Sequence, residues 1–211
     1  MVDDGHDDVF DATRRQLHGV AESLIAGPQY RAVGTIRLAV RPAGFTGTAL
    51  AVEVQGGDLV WPRGRVALAG PVSGLAAAAG LRAGPPTGVY TSADPLDADT
   101  VLDIDGAAAE LIYRSLYAGA QGLQAFVPEE RPVLWPEHFD VAITADEVNY
   151  GVSPGDAYHP RPYAYVGPWT PRTGPFWNAP FGALSPLDPA QDPDAVTASI
   201  LDFFERGRVQ L

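Results

Sequence analysis

"GTIRLAVRPAGFTGTALAVEVQGGDLVW", residues 34–61, is the stretch whose reading decides the fold. In its first eight residues Ile36, Leu38 and Val40 point one way, while Thr35, Arg37, Ala39 and Arg41 point the other. That is the period-2 alternation of a strand with one face on a core. "PAGF" predicts a turn. "TALAVEV" (48–54) alternates again through Leu50, Val52 and Val54, "QGGD" is a hairpin signal, and "LVW" follows. The whole of 34–69 therefore predicts an antiparallel meander.

Outward from the meander the pattern turns helical. Residues 8–26 carry Phe10, Leu17 and Leu24 at heptad spacing, with Thr13 and Val20 between them, and "AGPQ" predicts the helix end. A short, small-residue helix is expected over 72–86, and the longest over 106–126. There Ala108, Ile112, Leu116, Gly119 and Leu123 share a face. Residues 192–207 predict a helix capped by Asp192, with Pro193 in its first turn and Val196, Ile200, Phe203 and Phe204 as its buried stripe. A further strand is expected over 137–144. Residues 147–192 hold 9 of the 20 prolines and 8 of the 20 aromatics, and predict a stiff cover over the remaining sheet face. The sum is an α+β fold. It is read as a single domain over 9–211, with a largely antiparallel sheet, packed helices and a Pro/Gly/aromatic-rich C-terminal cover. The acidic tip 1–8 is expected to be disordered.

Composition excludes several chemistries. With no cysteine in 211 residues, disulfides, thiolate nucleophiles and cysteine-held metals are impossible. All 14 basic residues are arginine, which removes Schiff-base lysines and the phosphate-loop lysine. A net charge of −12 repels nucleic acid and anionic membrane surfaces, so neither is expected as a partner. No apolar run reaches the roughly 18 residues of a membrane span. The N-terminus lacks the basic start and apolar stretch of a secretion signal, and a cytoplasmic location is expected.

Chemistry-bearing residues gather in "EHFDVAITADEVNYGVSPGDAYHPRPYAYVGPW", residues 137–169. If Phe139, Val141 and Ile143 face the core, strand parity sends His138 and Asp140 together to the other face, about 7 Å apart. Asp156 and His159 in "PGDAYHP" would complete a two-histidine, two-carboxylate set. His138 and His159 are the candidate acid–base groups, with Asp140 as orienter. Asn149, Tyr150, Asp156, Tyr158, Tyr163, Tyr165, Trp169 and Trp177 are candidate ligand contacts, because aromatic rings with polar handles line sites for sugars and flat molecules. A His-x-Asp pair is short and common, and its plainer reading is an exposed hydrogen-bonded pair, so no metal site is assigned. Ser153 is a poor nucleophile candidate, since Pro154 removes the backbone N–H an oxyanion hole would use. His18 and Glu22, one helical turn apart, read as a surface pair.

The runs "LWPEHFDVAI", "NYGVSPGDAYHPRPYAYVGPW" and "FWNAPFGA" resemble uncharacterised proteins of high-GC actinobacteria. The resemblance implies a cytoplasmic bacterial origin and carries over no activity, cofactor or functional residue. Three function classes follow from the residues. The leading one is a small-molecule-binding protein or enzyme, with its pocket between strand 137–144 and the aromatic segment 147–185 and a small polar or aromatic ligand. The second is a metal-dependent hydrolase or oxygenase using His138, Asp140, Asp156 and His159. The third is an interaction module with an aromatic face, a homodimer among its partners.

Overall fold

The computed structural model describes residues 4–211. Of the expected disordered tip at 1–8, residues 1–3 lie outside the described residues, and helix α1 (Asp4–Val20) takes up the remainder. The fold class is α+β, as the alternation and the amphipathic stripes predict. By contacts the chain divides into two compact units. One holds the residues up to Tyr113 together with Leu134–Phe139, and the other holds Arg114–Val133 and Asp140–Leu211.

The first unit begins with a helical run longer than predicted. After α1 comes a π turn (Ala21–Ala26) and then α2 (Gly27–Val33). "AGPQ" does not end the helix, because the wide turn absorbs it. The Gly27 N–H reaches back five residues to the Glu22 carbonyl, and Pro28 falls in the first turn of α2, where its missing N–H is no loss. Gly27 is required sterically: a Cβ there would stand 1.9 Å from the Gly84 carbonyl oxygen. The stop is Gly34, at φ 75°, whose N–H caps Tyr30.

The meander then forms, with shorter strands than the alternation implied: β1 (Leu38–Arg41), β2 (Gly44–Gly47), β3 (Glu53–Gln55), β4 (Asp58–Trp61) and β5 (Gly64–Ala67). Each pairs antiparallel with the next. The predicted strand 48–54 is loop over its first half. Gln29 on α2 explains both this and the late start of β1. Its buried amide donates to the Thr35 and Arg37 carbonyls and accepts from the Ala49 and Leu50 N–H groups, so those backbone groups serve a side chain instead of a ladder. Phe45, Val54 and Leu59 are fully buried on one face, as parity requires. β6 (Ala69–Pro71) and β7 (Val101–Asp103) make a separate two-stranded ribbon. α3 (Val72–Ala79) stops at Gly80, earlier than expected, and a long coil leads to β7. β8 (Val133–Trp135) pairs with β1.

The second unit takes in the later turns of α4 (Gly106–Phe126). It continues through β9 (Asp140–Ala145), β10 (Val148–Ser153), β11 (Tyr163–Pro168), β12 (Ala183–Pro186) and α5 (Pro193–Val209). The Pro-rich segment thus supplies three strands, β10 to β12, and β9 to β12 run antiparallel in sequence order. Asp192 caps α5 as predicted, accepting from Asp194 and Ala195 N–H groups. Val141, Val152 and Val166 face the helices. Glycines let the backbones close in: a Cβ at Gly119 would meet Val152 at 2.7 Å, and one at Gly207 would meet Val166 at 2.8 Å. Tyr150, Phe126 and Phe204 pack ring on ring in this core. Each such fully buried large side chain contributes about 1.5–3 kcal/mol. Among the described residues no helix is long and apolar enough to cross a membrane.

Candidate functional site

Asp140, Tyr163 and Tyr165 of the second unit lie on the sheet face away from its helices. The register that aims Val141, Tyr150 and Val166 at α4 and α5 turns Asp140, Gly151, Ser153, Tyr163 and Tyr165 the other way. Gly151 sits between Asp140 and Tyr165 in function as well as place. Lacking a side chain, it lets the Tyr165 ring lie across β10, and a Cβ at 151 would stand 2.5 Å from the ring carbon bearing the hydroxyl. The Tyr165 hydroxyl then donates to Asp140 Oδ2. Burial and the Asp140 charge push the Tyr165 phenol well above its ordinary value, so it stays a proton donor.

Tyr163 repeats the arrangement one step along β11. Its hydroxyl donates to Asp156 Oδ2 at 2.5 Å, and burial, then Asp156, push its phenol up. The other Asp156 oxygen accepts the Tyr158 and His159 N–H groups at 2.8 and 2.9 Å, while the Asp156 N–H returns a bond to the His159 carbonyl. Asp156 therefore folds "DAYH" into a tight turn and fixes its rings. His159 Nδ1 lies 2.8 Å from the Arg161 carbonyl. A carbonyl only accepts, so Nδ1 carries a proton, and in the neutral ring Nε2 is an acceptor. Around this turn His159 meets Tyr163 edge-on at 5.5 Å, and Phe181 contacts Tyr158, Tyr163 and Tyr165 at 5.3 to 6.4 Å.

The structure thus brings Asp140, Asp156, Tyr158, His159, Tyr163 and Tyr165 together and adds Phe181, which sequence reasoning passed over. The rest stand elsewhere. His138 is exposed on a turn, because Phe139 at φ 53° breaks the strand before it starts. The parity argument began two residues too early, and Asp140 is buried where His138 is not. Tyr150 lies in the hydrophobic core. Asn149 accepts from Thr144 Oγ1 at 2.8 Å and Trp169 Nε1 at 3.4 Å in an exposed knot. Trp177 packs against Phe176, which stacks on Phe203 of α5. Among the described residues no group of three or more His, Asp and Glu side chains is placed to hold a metal ion, and Asp156 is committed to Tyr163 and the turn. The four-residue ligand set expected for a metal-dependent hydrolase is not assembled.

A second polar cluster lies in the first unit, where the sequence suggested only a surface pair. His18 and Glu22 are 3% and 0% exposed. His18 Nδ1 meets Asp94 Oδ2 at 2.9 Å and Nε2 meets the Pro136 carbonyl at 2.7 Å, with Phe139 stacked on the ring at 5.4 Å. Both partners are acceptors, so the ring serves both only with both nitrogens protonated. Ser92 donates to Glu22 Oε2. Burial pushes the Glu22 carboxyl above 4.5, against the opposing pull of Ser92 and His18. Burial also pushes Asp94 up, but His18 and Arg14 outweigh it and hold Asp94 below 3.8. The Tyr90 hydroxyl stands beside Glu22, and burial, then the Glu22 charge, raise its phenol. Among the described residues, Arg14 Nε and Ser23 Oγ are buried here with no partner. The covering chain is the coil after α3. Gly19 admits it, since a Cβ there would meet Leu96 Cγ at 2.4 Å and the Asp94 carbonyl oxygen at 2.7 Å.

No family model, curated protein or solved structure matches the chain.

Proposed function

We propose that the protein binds a small, flat, polar-edged molecule on the helix-free sheet face of its second unit. The observation that carries this reading is His159. Its Nδ1 is tied to a carbonyl, which in the neutral ring leaves Nε2 as an acceptor, and its ring lies edge-on to Tyr163. Tyr158 and Phe181, 53% and 39% exposed and 5.3 Å apart edge to face, supply the stacking surface. Tyr163 and Tyr165 are spent on carboxylates, so they act as a rigid floor. Such pre-organisation lowers the cost of ordering a site on binding. With its net charge of −12 the protein is read as having no nucleic-acid partner.

The test is saturation-transfer NMR with adenosine, benzoate and L-tryptophan as probes. At least one is expected to bind the wild type, and His159→Ala and Phe181→Ala are each expected to remove the signal while circular dichroism is unchanged. Silence of all three probes, or binding that survives both substitutions, overturns the reading. One observation favours a partner surface instead: Trp169 is 63% exposed on the same helix-free face. Concentration-dependent dimerisation in sedimentation, abolished by Trp169→Ala, would support that alternative and displace the first.

A further inference from the structure

The first unit carries a groove that the aromatic face does not involve. It has a volume of about 560 Å³, within the range of small-ligand sites, and is open along one side. Its floor is the outer face of β2 to β4. There Thr46, Glu53 and Val60 stand in one cross-strand row, opposite in parity to the buried Phe45, Val54 and Leu59. Arg41, on the same face at the end of β1, closes one end, and Trp61 lines the site at the end of β4.

Three features separate this groove from an ordinary surface dip. First, its rim is fixed. The loop after Gly47 is held from beneath by Gln29, 0% exposed, which uses both amide hydrogens and both oxygen lone pairs on the loop and on the segment before β1. Thr48 adds a bond to the Arg37 carbonyl at 2.8 Å. Gly47 is needed for the fit, because a Cβ there would meet the Leu50 carbonyl oxygen at 2.5 Å and Gln29 Oε1 at 2.8 Å. Second, Arg41 and Glu53 are uncommitted: among the described residues neither forms a salt bridge or a side-chain hydrogen bond. One strong donor and one strong acceptor of opposite sign thus face the same space, and their charges cancel. Third, part of the lining is apolar: Val60 stands beside Glu53 in the cross-strand row and Leu50 lies in the rim, both half-exposed.

We propose that this groove binds a neutral, hydroxyl-rich ring, a mono- or disaccharide. A ligand of net charge would gain from one of the two charged side chains and be opposed by the other. A purely apolar ligand would strand both. A sugar satisfies each: vicinal hydroxyls accept from the guanidinium and donate to the carboxylate, and an apolar C–H face of the ring lies on Val60 and Leu50. The open side leaves room for the next residue of a chain. The fixed rim makes such a weak, polar contact affordable, since little loop ordering remains to be done on binding.

The experiment is saturation-transfer NMR on the full chain with cellobiose, maltose and N-acetylglucosamine, and with L-serine as a zwitterionic control. At least one saccharide is expected to receive saturation through its ring C–H protons. Glu53→Gln, which preserves shape, and Arg41→Gln are each expected to weaken binding at least about tenfold, or about 1.4 kcal/mol. His159→Ala and Phe181→Ala are expected to leave it unchanged, so this groove and the aromatic face stand or fall separately. Binding of L-serine alone, silence of all three saccharides, or saccharide binding that survives both Glu53→Gln and Arg41→Gln in a folded protein overturns the proposal.

Discussion

Two buried polar clusters in this protein are built from the same kinds of group by opposite routes. In the second unit Asp140 on β9 and Tyr165 on β11 meet across the intervening β10, where Gly151 opens the way. Strand parity decides which side chains can meet there. In the first unit His18 and Glu22 sit one turn apart on a helix, and they become an interior cluster only because Ser92 and Asp94, 76 residues beyond His18 in the latter case, are laid over them. The first route joins side chains through a ladder whose register holds them. The second depends on one coil keeping its place. The ladder cluster should therefore yield locally when damaged, and the coil cluster should fail as a unit.

The sharpest way to break the comparison is His18→Ala. It leaves Asp94 half-buried without its imidazole, leaves the Pro136 carbonyl without a donor, and opens a hole beneath Phe139. Removing one partner of a buried ionic hydrogen bond costs about 3–5 kcal/mol. Urea denaturation is expected to show a loss of that size. A loss below about 1 kcal/mol would mean the cluster is not holding the coil. Gly19→Ala comes next, at about 1–3 kcal/mol for overpacking, since the new methyl meets a backbone oxygen that cannot turn aside. Limited proteolysis is expected to cut within residues 81–100 of that variant and not of the wild type.

On the ladder side Tyr165→Phe deletes one donor to Asp140 and nothing else, and is expected to cost about 1–2 kcal/mol. Proteolysis of the coil should be unchanged by it. If Tyr165→Phe proved as damaging as His18→Ala, the distinction between the two clusters would collapse.

What the sequence made legible follows the same division. The helix 106–126 and the Asp192 cap are local patterns, and both stand where they were read. The meander was visible as a meander, but its strands were drawn too long, because no alternation rule reveals that Gln29 will occupy the backbone groups at 35, 37, 49 and 50. Segment 147–192 was read as cover because its prolines hide strands. In fact each strand falls between prolines or ends on one, as β11 and β12 do at Pro168 and Pro186. The site region was found from aromatic density, yet Phe181 was missed and His138 misplaced, since the left-handed Phe139 has no sequence mark of the kind glycine gives. The burial of His18 and Glu22 had no local signal at all: the glycine at 19 was the one hint that another chain comes close.

The finest test separates Glu22 from Asp94 by pH. Glu22 is raised in the folded protein, so the folded state holds a proton that the unfolded chain releases above 4.5. Its contribution is whole below 4.5 and declines as pH rises through the folded value, after which it is flat. Asp94 is lowered below 3.8, so its contribution is whole above 3.8 and is lost as pH falls through the folded value. The first unit should therefore be most stable between these two limbs. Glu22→Gln imitates the neutral carboxyl and is expected to flatten the limb above 4.5 while leaving the acid limb intact. Asp94→Asn is expected to do the reverse, with a general loss of stability because His18 Nδ1 no longer faces a charge. Urea midpoints taken across the acid and neutral range read both limbs. An unaltered upper limb in Glu22→Gln would show that Glu22 does not carry the buried proton, and that the coil is held by the His18–Asp94 bond alone.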